Sequence, residues 1–195
     1  MKIAKGEKMS IDDKIKWDNK YQNKPELLKP REASNLIKKY TNMVEDKTAL
    51  DLACGTGRNS IYLAENGFIV DAVDISETAL NCIENENINK ILYDLDEFET
   101  NKKYGLIIKM NFLDRDLIEK AKEWLDYNGV FIIETYLDHK DNEKKHSNKD
   151  FLLQPNELKE FFKDGYEILE YSEYDNENYE MYRMKKAGIA VRKMM

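Results

Sequence analysis

Apolar and polar positions run in blocks whose period switches between helix and strand from about residue 32 onward. In REASNLIKKYTNMV, residues Leu36, Ile37, Tyr40, Met43 and Val44 fall on one face at helical spacing. TALDLA reads as a buried strand running into glycines, and RNSIYLAEN as a helix that stops at Gly67. FIVDAVD is a second buried strand and SETALNCIENE a second helix, with Ser76 as its N-cap. ILYDL is a short third strand before the acidic loop DEFETNKK. YGLIIKM and GVFIIETY are two further apolar strands, separated by the helical DRDLIEKAKEWLDY. A polar loop, LDHKDNEKKHSNKD, leads to the helix PNELKEFF, with Pro155 suited to its first turn. Two strand-like segments, around YEILEYSEY and YRMKKAGIAVR, come last.

Strands alternating with helices predict an α/β fold, a doubly wound parallel sheet covered on both faces. The last two strands have no helix between them, so they should pair as an antiparallel hairpin at one edge. Ligands of such sheets sit beyond the carboxyl ends of the strands, where strand order reverses. No internal repeat or low-complexity linker interrupts the pattern. The expectation is one domain over residues 1–195, with residues 1–45 as an N-terminal helical cap.

Composition narrows the class. Of 195 residues, 42% are hydrophobic, enough for a substantial core, and the net charge of -7 argues against a nucleic-acid binder. The charge is uneven: residues 1–31 hold nine Lys/Arg against five acids, and residues 71–99 hold nine acids against one Lys. Cys54 and Cys82 are too few for a disulfide framework and read as small buried side chains. No signal-type stretch opens the chain and no apolar run would span a membrane, so a soluble cytoplasmic protein is expected.

The chemistry gathers at LDLACGTGRN, residues 50–59. Gly55 and Gly57 let the backbone turn sharply and let a ligand lie against it. The next helix points free N–H groups at that space, favouring an anionic group. Asp74, 17 residues after Gly57, ends the second strand and can accept from both ribose hydroxyls. Asp94-Leu95, at the third strand end, offers an acceptor for a purine amino group. Gly55-x-Gly57-x-x-Ser60 nearly meets the dinucleotide fingerprint, and a Walker-type phosphate loop is absent. Three features point away from a nicotinamide dinucleotide: Asp51 inside the first strand, little chain left for a substrate domain, and the closing hairpin.

LDLACGTGRNS, VDAVDIS and YDL together resemble the class I S-adenosylmethionine-dependent methyltransferases. GRNS with WDNKY, and FLDRDLI, IIETY and FLLQPNELKEFF, are similar to the small bacterial tellurite-resistance and thiol methyltransferase branch. The resemblance spans residues 17–192. It implies a Rossmann-like seven-stranded sheet in the order 3-2-1-4-5-7-6 with strand 7 antiparallel, and S-adenosylmethionine as cofactor. It also implies that Asp51, Gly55 and Gly57 flank the methionine part, and that Asp74 binds the ribose with Ile75 against the adenine. Asp94 and Leu95 would hold the adenine edge, while Lys109 and Met110 would offer backbone groups near the amino end. Ala53 departs from the glycine common at its position, by one methyl group.

Other residues carry two readings each. Trp17 and Tyr21, at i and i+4, either close over the cofactor with their rings near the sulfonium or dock an N-terminal helix on the core. Arg58 either neutralises the cofactor carboxylate or fixes the turn. Arg115 reads as a surface ion pair with Asp114 or Glu119 before an anion-attracting group. His139 and His146 read as a solvated loop before a base or a metal site with Asp138 or Asp141, because their spacing fits no metal template. EYSEYDNENYE reads as a solvated edge strand and loop before a binding surface. Lys109-Met110-Asn111-Phe112 replaces the Asn/Asp-Pro-Pro-aromatic of DNA-base methyltransferases, which favours a small-molecule acceptor; the resemblance to the tellurite-resistance and thiol branch implies a thiol or metalloid oxyanion. No dedicated base is identifiable. The protein is expected to act as a monomer or homodimer, with a cofactor-binding protein without turnover and a nicotinamide-dependent oxidoreductase as alternatives.

Overall fold

The apolar runs become the strands of one sheet in the computed structural model, which describes residues 5–145, 148–177 and 180–195, with side chains from Asp12 onward. The strands are β1 (Thr48–Leu52), β2 (Ile69–Asp74), β3 (Ile88–Leu92), β4 (Tyr104–Met110), β5 (Leu125–Tyr136), β6 (Tyr166–Asp175) and β7 (Lys185–Lys193). Their order is β3-β2-β1-β4-β5-β7-β6. The first five pair in parallel, and β7 runs antiparallel to both β5 and β6. The expected order and the closing hairpin are both present.

Helices α1 (Lys5–Asn23), α2 (Asn35–Tyr40), α3 (Arg58–Glu65), α4 (Glu77–Leu80), α5 (Arg115–Trp124) and α6 (Glu157–Phe161) complete the layers. Alternation along β4 shows why a continuous apolar run is needed. Leu106 and Ile108 join one core with Leu36, Ile37 and Leu63 from α2 and α3. Ile107, between them, joins the other with Leu117 and Ile118 from α5, Leu158 from α6 and Phe162, which closes α6. Each face buries its own set, so polar alternation would strand half the residues in apolar surroundings.

Four boundaries differ from the sequence reading, each for a local reason. α4 stops at Leu80 because Cys82 and Ile83 donate back three residues, to Ala79 and Leu80, tightening the turn and swinging Ile83 inward. That leaves Cys82 exposed, not buried as expected, while Cys54 is buried. β5 begins at Leu125, taking LDY from the expected helix, since α5 ends at Trp124. Met43 lies in a 3-10 turn after α2 and is 44% exposed, off the face shared by Leu36, Ile37 and Tyr40. Pro155 precedes the N-cap Asn156, whose φ of 64° starts α6 later than the sequence suggests.

The amino ends of three strands are tied by one acid. Asp71 of β2 accepts from Tyr104 Oη on β4 (2.7 Å), Lys102 Nζ (2.7 Å) and Asn89 Nδ2 on β3 (3.1 Å). Partial burial pushes its carboxyl up, but these donors outweigh it and hold it below the usual range. Tyr104→Phe is expected to lower stability by about 1.5–3 kcal/mol, the cost of a lost hydrogen bond to a charged group. Urea denaturation checks it, and an unchanged midpoint would contradict the role assigned to this bond.

Candidate functional site

At the carboxyl end of β1 the chain turns through Ala53, Gly55 and Gly57, all at positive φ (61°, 57° and 75°), and enters α3. Alanine at Ala53 therefore adds more than the expected single methyl. A left-handed non-glycine residue costs about 1–2 kcal/mol of backbone strain. The two glycines serve different neighbours. A Cβ on Gly57 would stand 2.6 Å from Ile83, so this glycine admits protein packing rather than a ligand. A Cβ on Gly55 would stand 3.0 Å from Tyr21 Oη, so this one faces the cleft beneath α1. The N-cap Gly57 offers α3 no side chain, and while the Ser60 N–H donates to Asp51, the N–H groups before it point toward the cleft as an anion would need.

Asp74, at the end of β2, accepts from Gly55 N through Oδ2 (2.7 Å) and from Ser76 N through Oδ1 (2.9 Å). It is 7% exposed, and burial raises its carboxyl above the usual range against the pull of those N–H donors. Ile75 beside it is half-buried. Tyr21 leans on the same spot; burial, then the charge of Asp74, pushes its phenol up. At the end of β3, Asp94 accepts from Asp96 N (3.0 Å) in a local turn, and Leu95 is buried. Leu95 and Asp96 line a cavity of about 310 Å³ with Asp114 and Leu117 of the α5 region.

Tyr21, Gly55, Asp74, Ile75 and Ser76 thus meet, with Gly57 and Arg58 one step along the turn. Two expected site residues turn their side chains away from the cleft. Asp51 is 1% exposed under α3, where Ser60 Oγ donates to it at 2.6 Å, and burial pushes its carboxyl up to about 7. Lys109 is fully buried, its Nζ donating to the Phe112 carbonyl below the β4–α5 loop, and burial brings its amine down to about 7. β1 stops opposite Lys109, so the β1-facing edge of Met110 has no strand beside it.

The N-terminal helix is docked by a residue that sequence reading missed. Asp18 Oδ1 accepts from Ser76 Oγ (2.6 Å) and Thr78 N (3.1 Å), and Oδ2 from Lys14 Nζ (2.9 Å). It serves the start of α4 as a cap supplied from another helix. Trp17 and Tyr21 flank it, ring centroids 6.1 Å apart, with Lys20 Nζ 3.8 Å over the Trp17 ring. Its one legible signal was a position between those two aromatics.

Arg58 reaches away from the cleft, to the Glu32 carbonyl (3.3 Å) and Glu177 (3.7 Å). Arg115 is not paired with Asp114 or Glu119; it clamps Glu157 (2.6 Å) and the carbonyls of Asp150 and Leu152. His139 accepts from Asp141 N at 3.2 Å, and His146 lies outside the described residues. Among the described residues no His/Cys/Asp/Glu group could hold a metal. β6 is the edge strand expected, yet Tyr174 on it is half-buried and faces Glu134. Glu134 and Lys186, both buried, also escaped the sequence reading.

The family described as "Tellurite resistance protein TehB" matches residues 14–193. A probable S-adenosyl-L-methionine-dependent methyltransferase TehB of Haemophilus influenzae is 32% identical over 163 residues, 74% of this chain and 56% of that protein. The chain thus spans little more than half the length of such curated relatives. The crystal structure of TehB from Haemophilus influenzae superposes with a TM-score of 0.75 at 26% identity, over 91% of this chain and 67% of that one. A putative S-adenosylmethionine-dependent methyltransferase from Listeria monocytogenes shares the fold, at 19% identity and a TM-score of 0.61, over 82% of this chain and 98% of that one. With its motifs, sheet order and nearly its whole length matched, this chain belongs to the TehB tellurite-resistance family.

Proposed function

We propose that this chain transfers a methyl group from S-adenosylmethionine to a small-molecule acceptor. The observation that carries the reading is the Asp74 carboxylate, bonded to Gly55 N and Ser76 N beneath Tyr21. A carboxylate has about four acceptor positions, so each Asp74 oxygen keeps capacity for one ribose hydroxyl. Ile75 would lie against the adenine, and Asp94 with Leu95 at its edge. Gly55 and the start of α3 would take the methionine carboxylate, with Gly57 shaping the turn between them and Met110 near the amino end. Trp17 and Tyr21 would cover the cleft, their ring faces suited to a sulfonium. Asp51 and Lys109 support the site from behind, through Ser60 and Phe112.

When bound, the cofactor supplies an electrophilic methyl carbon on a positively charged sulfur. The protein's part is to hold donor and acceptor close and in line, and a base is needed only if the acceptor must lose a proton. The branch resemblance supports a thiol or metalloid oxyanion as acceptor. A single domain with residues 1–45 as its cap, cytoplasmic and monomeric or dimeric, with no nucleic-acid substrate, belongs to the same reading. No described helix is long and apolar enough to cross a membrane.

Calorimetric titration with S-adenosylhomocysteine is expected to give micromolar binding, and titration with the nicotinamide dinucleotide none. The reverse result would make the glycine turn a pyrophosphate cradle. Asp74→Ala is expected to weaken S-adenosylhomocysteine binding by about 1.5–3 kcal/mol, the range for hydrogen bonds to a charged group. Unchanged affinity would place the ribose elsewhere.

The Asp18 docking contact gives a pH prediction. Partial burial pushes the Asp18 carboxyl up, but bonds from Ser76, Lys14 and Thr78 outweigh it and bring it down to about 2 from 3.8. A depressed acid stabilises its contact above the unfolded value, so docking is expected to be complete above about pH 4 and lost as pH falls toward 2. Protection of amides 12–23 against hydrogen exchange, taken relative to their intrinsic rates at each pH, should fall over that interval, and also in Asp18→Ala at neutral pH. Equal protection in the variant would show that α1 is held by its aromatics alone.

A further inference from the structure

Strand order reverses between β1 and β4, and β1 ends opposite Lys109, so Met110 and Asn111 stand at an open corner of the carboxyl edge. Met110 is fixed there by pairing with Glu134 of β5. Asp114 is fixed by its cap on α5, where it accepts from Leu117 N at 2.9 Å. Asn111, Phe112 and Leu113 bridge the two. Asn111 takes a left-handed conformation, φ 58°, and donates its N–H to the Glu134 carbonyl at 2.7 Å. Its side chain is exposed, and among the described residues its amide bonds to no protein group. A left-handed residue other than glycine strains the backbone, so the turn persists only if its far side is held as well.

Lys109 holds that side. It lies between Leu52 of β1 and Ile133 of β5, on the sheet face it shares with Ile107, and is fully buried. Its Nζ donates to the Phe112 carbonyl and stands 4.5 Å from the centroid of the Phe112 ring. No carboxylate among the described residues pairs with it: Asp114 is turned to its cap, and Glu157 is taken by Arg115 at 2.6 Å. Burial disfavours the ammonium, with Asp114 acting for it and Arg115 against, and the neutral amine still donates to a carbonyl. The hold therefore survives in either protonation state. A buried amine without an ion pair costs stability that an apolar side chain of similar length would not. Its bond acts on the loop rather than on the core.

We propose that Lys109 is a positioning residue for methyl transfer: by holding the Phe112 carbonyl it fixes the left-handed turn at Asn111, and the Asn111 amide meets the acceptor at the corner between β1 and β4. The proposal rests on the methyltransferase reading and deepens it. Lys109 itself touches neither cofactor nor acceptor.

Transfer of a methyl group needs donor and acceptor in line, and a contact displaced by about 1 Å lowers the rate without loosening the cofactor. Met110 keeps its place through the ladder with β5 whether or not Lys109 is present, so the cofactor end stays put. Asn111 lies past the end of β4 and depends on its one N–H bond and on the hold at Phe112. Its amide offers two N–H donors and one carbonyl acceptor, which suit an oxyanion and a thiol alike. The turn thus sets where the acceptor stands, and other groups choose which acceptor it is.

The test compares Lys109→Met, which removes the donor, with Lys109→Gln, which keeps one but buries a carbonyl. In thermal melts the Met variant is expected at or above the wild type and the Gln variant below it. Release of S-adenosylhomocysteine from S-adenosylmethionine is followed with potassium tellurite and with 2-phenylethanethiol as acceptors. Lys109→Met is expected to lose about tenfold in kcat, the worth of one hydrogen bond, with the KM for S-adenosylmethionine and the affinity for S-adenosylhomocysteine unchanged. Lys109→Gln is expected to lose less, so activity and melting temperature rank in opposite order. Asn111→Gly keeps the turn without the amide and is expected to lose about tenfold; the double variant with Lys109→Met should lose no more than either single change. Unchanged kcat in Lys109→Met, a kcat loss that follows melting temperature, weakened S-adenosylhomocysteine binding, or additive losses in the double variant would each overturn the proposal. Failure of the wild type to release S-adenosylhomocysteine with either acceptor would remove the methyltransferase reading by itself. Hydrogen exchange of the Asn111 amide in unliganded Lys109→Met would still decide the hold: faster exchange supports it, and equal exchange overturns it.

Discussion

The Asp74 carboxylate joins two pieces of backbone that the chain keeps 19 residues apart. Through Gly55 N it holds the turn after β1, and through Ser76 N it starts the turn into α4. Because Asp74 is nearly buried, each bond is made in surroundings that make an unpaired charge expensive. The turn can therefore neither drift nor close on itself. Ser76 in turn carries the Asp18 contact, so the docking of α1 hangs on the same carboxylate. Sheet end, glycine turn and covering helix form one continuous hydrogen-bonded unit around the cleft.

A second polar unit lies two strands away, where β5 and β7 bring Glu134 and Lys186 into the interior. Burial acts to lower the Lys186 amine, but Glu180, Glu177 and Glu134 outweigh it and raise it. Burial likewise acts to raise Glu177, and Lys186 brings it down to about 2. Such a cluster is a poor source of stability, since desolvating several charges costs about what their attraction returns. The apolar layers on either face carry the stability, which leaves the carboxyl edge free to hold strained and charged groups.

The period of apolar residues made the seven strands and the hairpin legible, because burial on both faces leaves no other arrangement for runs such as YGLIIKM. The glycine turn and Asp74 were legible because positive φ and a strand-end acid need particular residue types at particular spacings. The helix expected over SETALNCIENE is cut short at Leu80 because Ile83 turns inward to pack against the site of a missing Cβ at Gly57. Asp18, Ser34, Glu134 and Lys186 gave no such signal. Their partners lie 58 residues away for Asp18 and 100 for Ser34, and apart from the place of Asp18 between two aromatics nothing local distinguishes them from solvated polar residues.

By itself, then, the sequence determined the layer architecture, the position of the turn and the acids at the strand ends, since each follows from local conformational preference and hydrophobic period. Tertiary structure alone decided which way those acids face. It turned Asp51 under α3 and Lys109 under the β4–α5 loop, set Gly57 against protein and Gly55 against the cleft, and assembled Glu134 with Ser34 and Lys186. The physical reason is that hydrogen bonds and ion pairs between distant segments depend on how the layers meet, and no local pattern in the chain encodes that meeting.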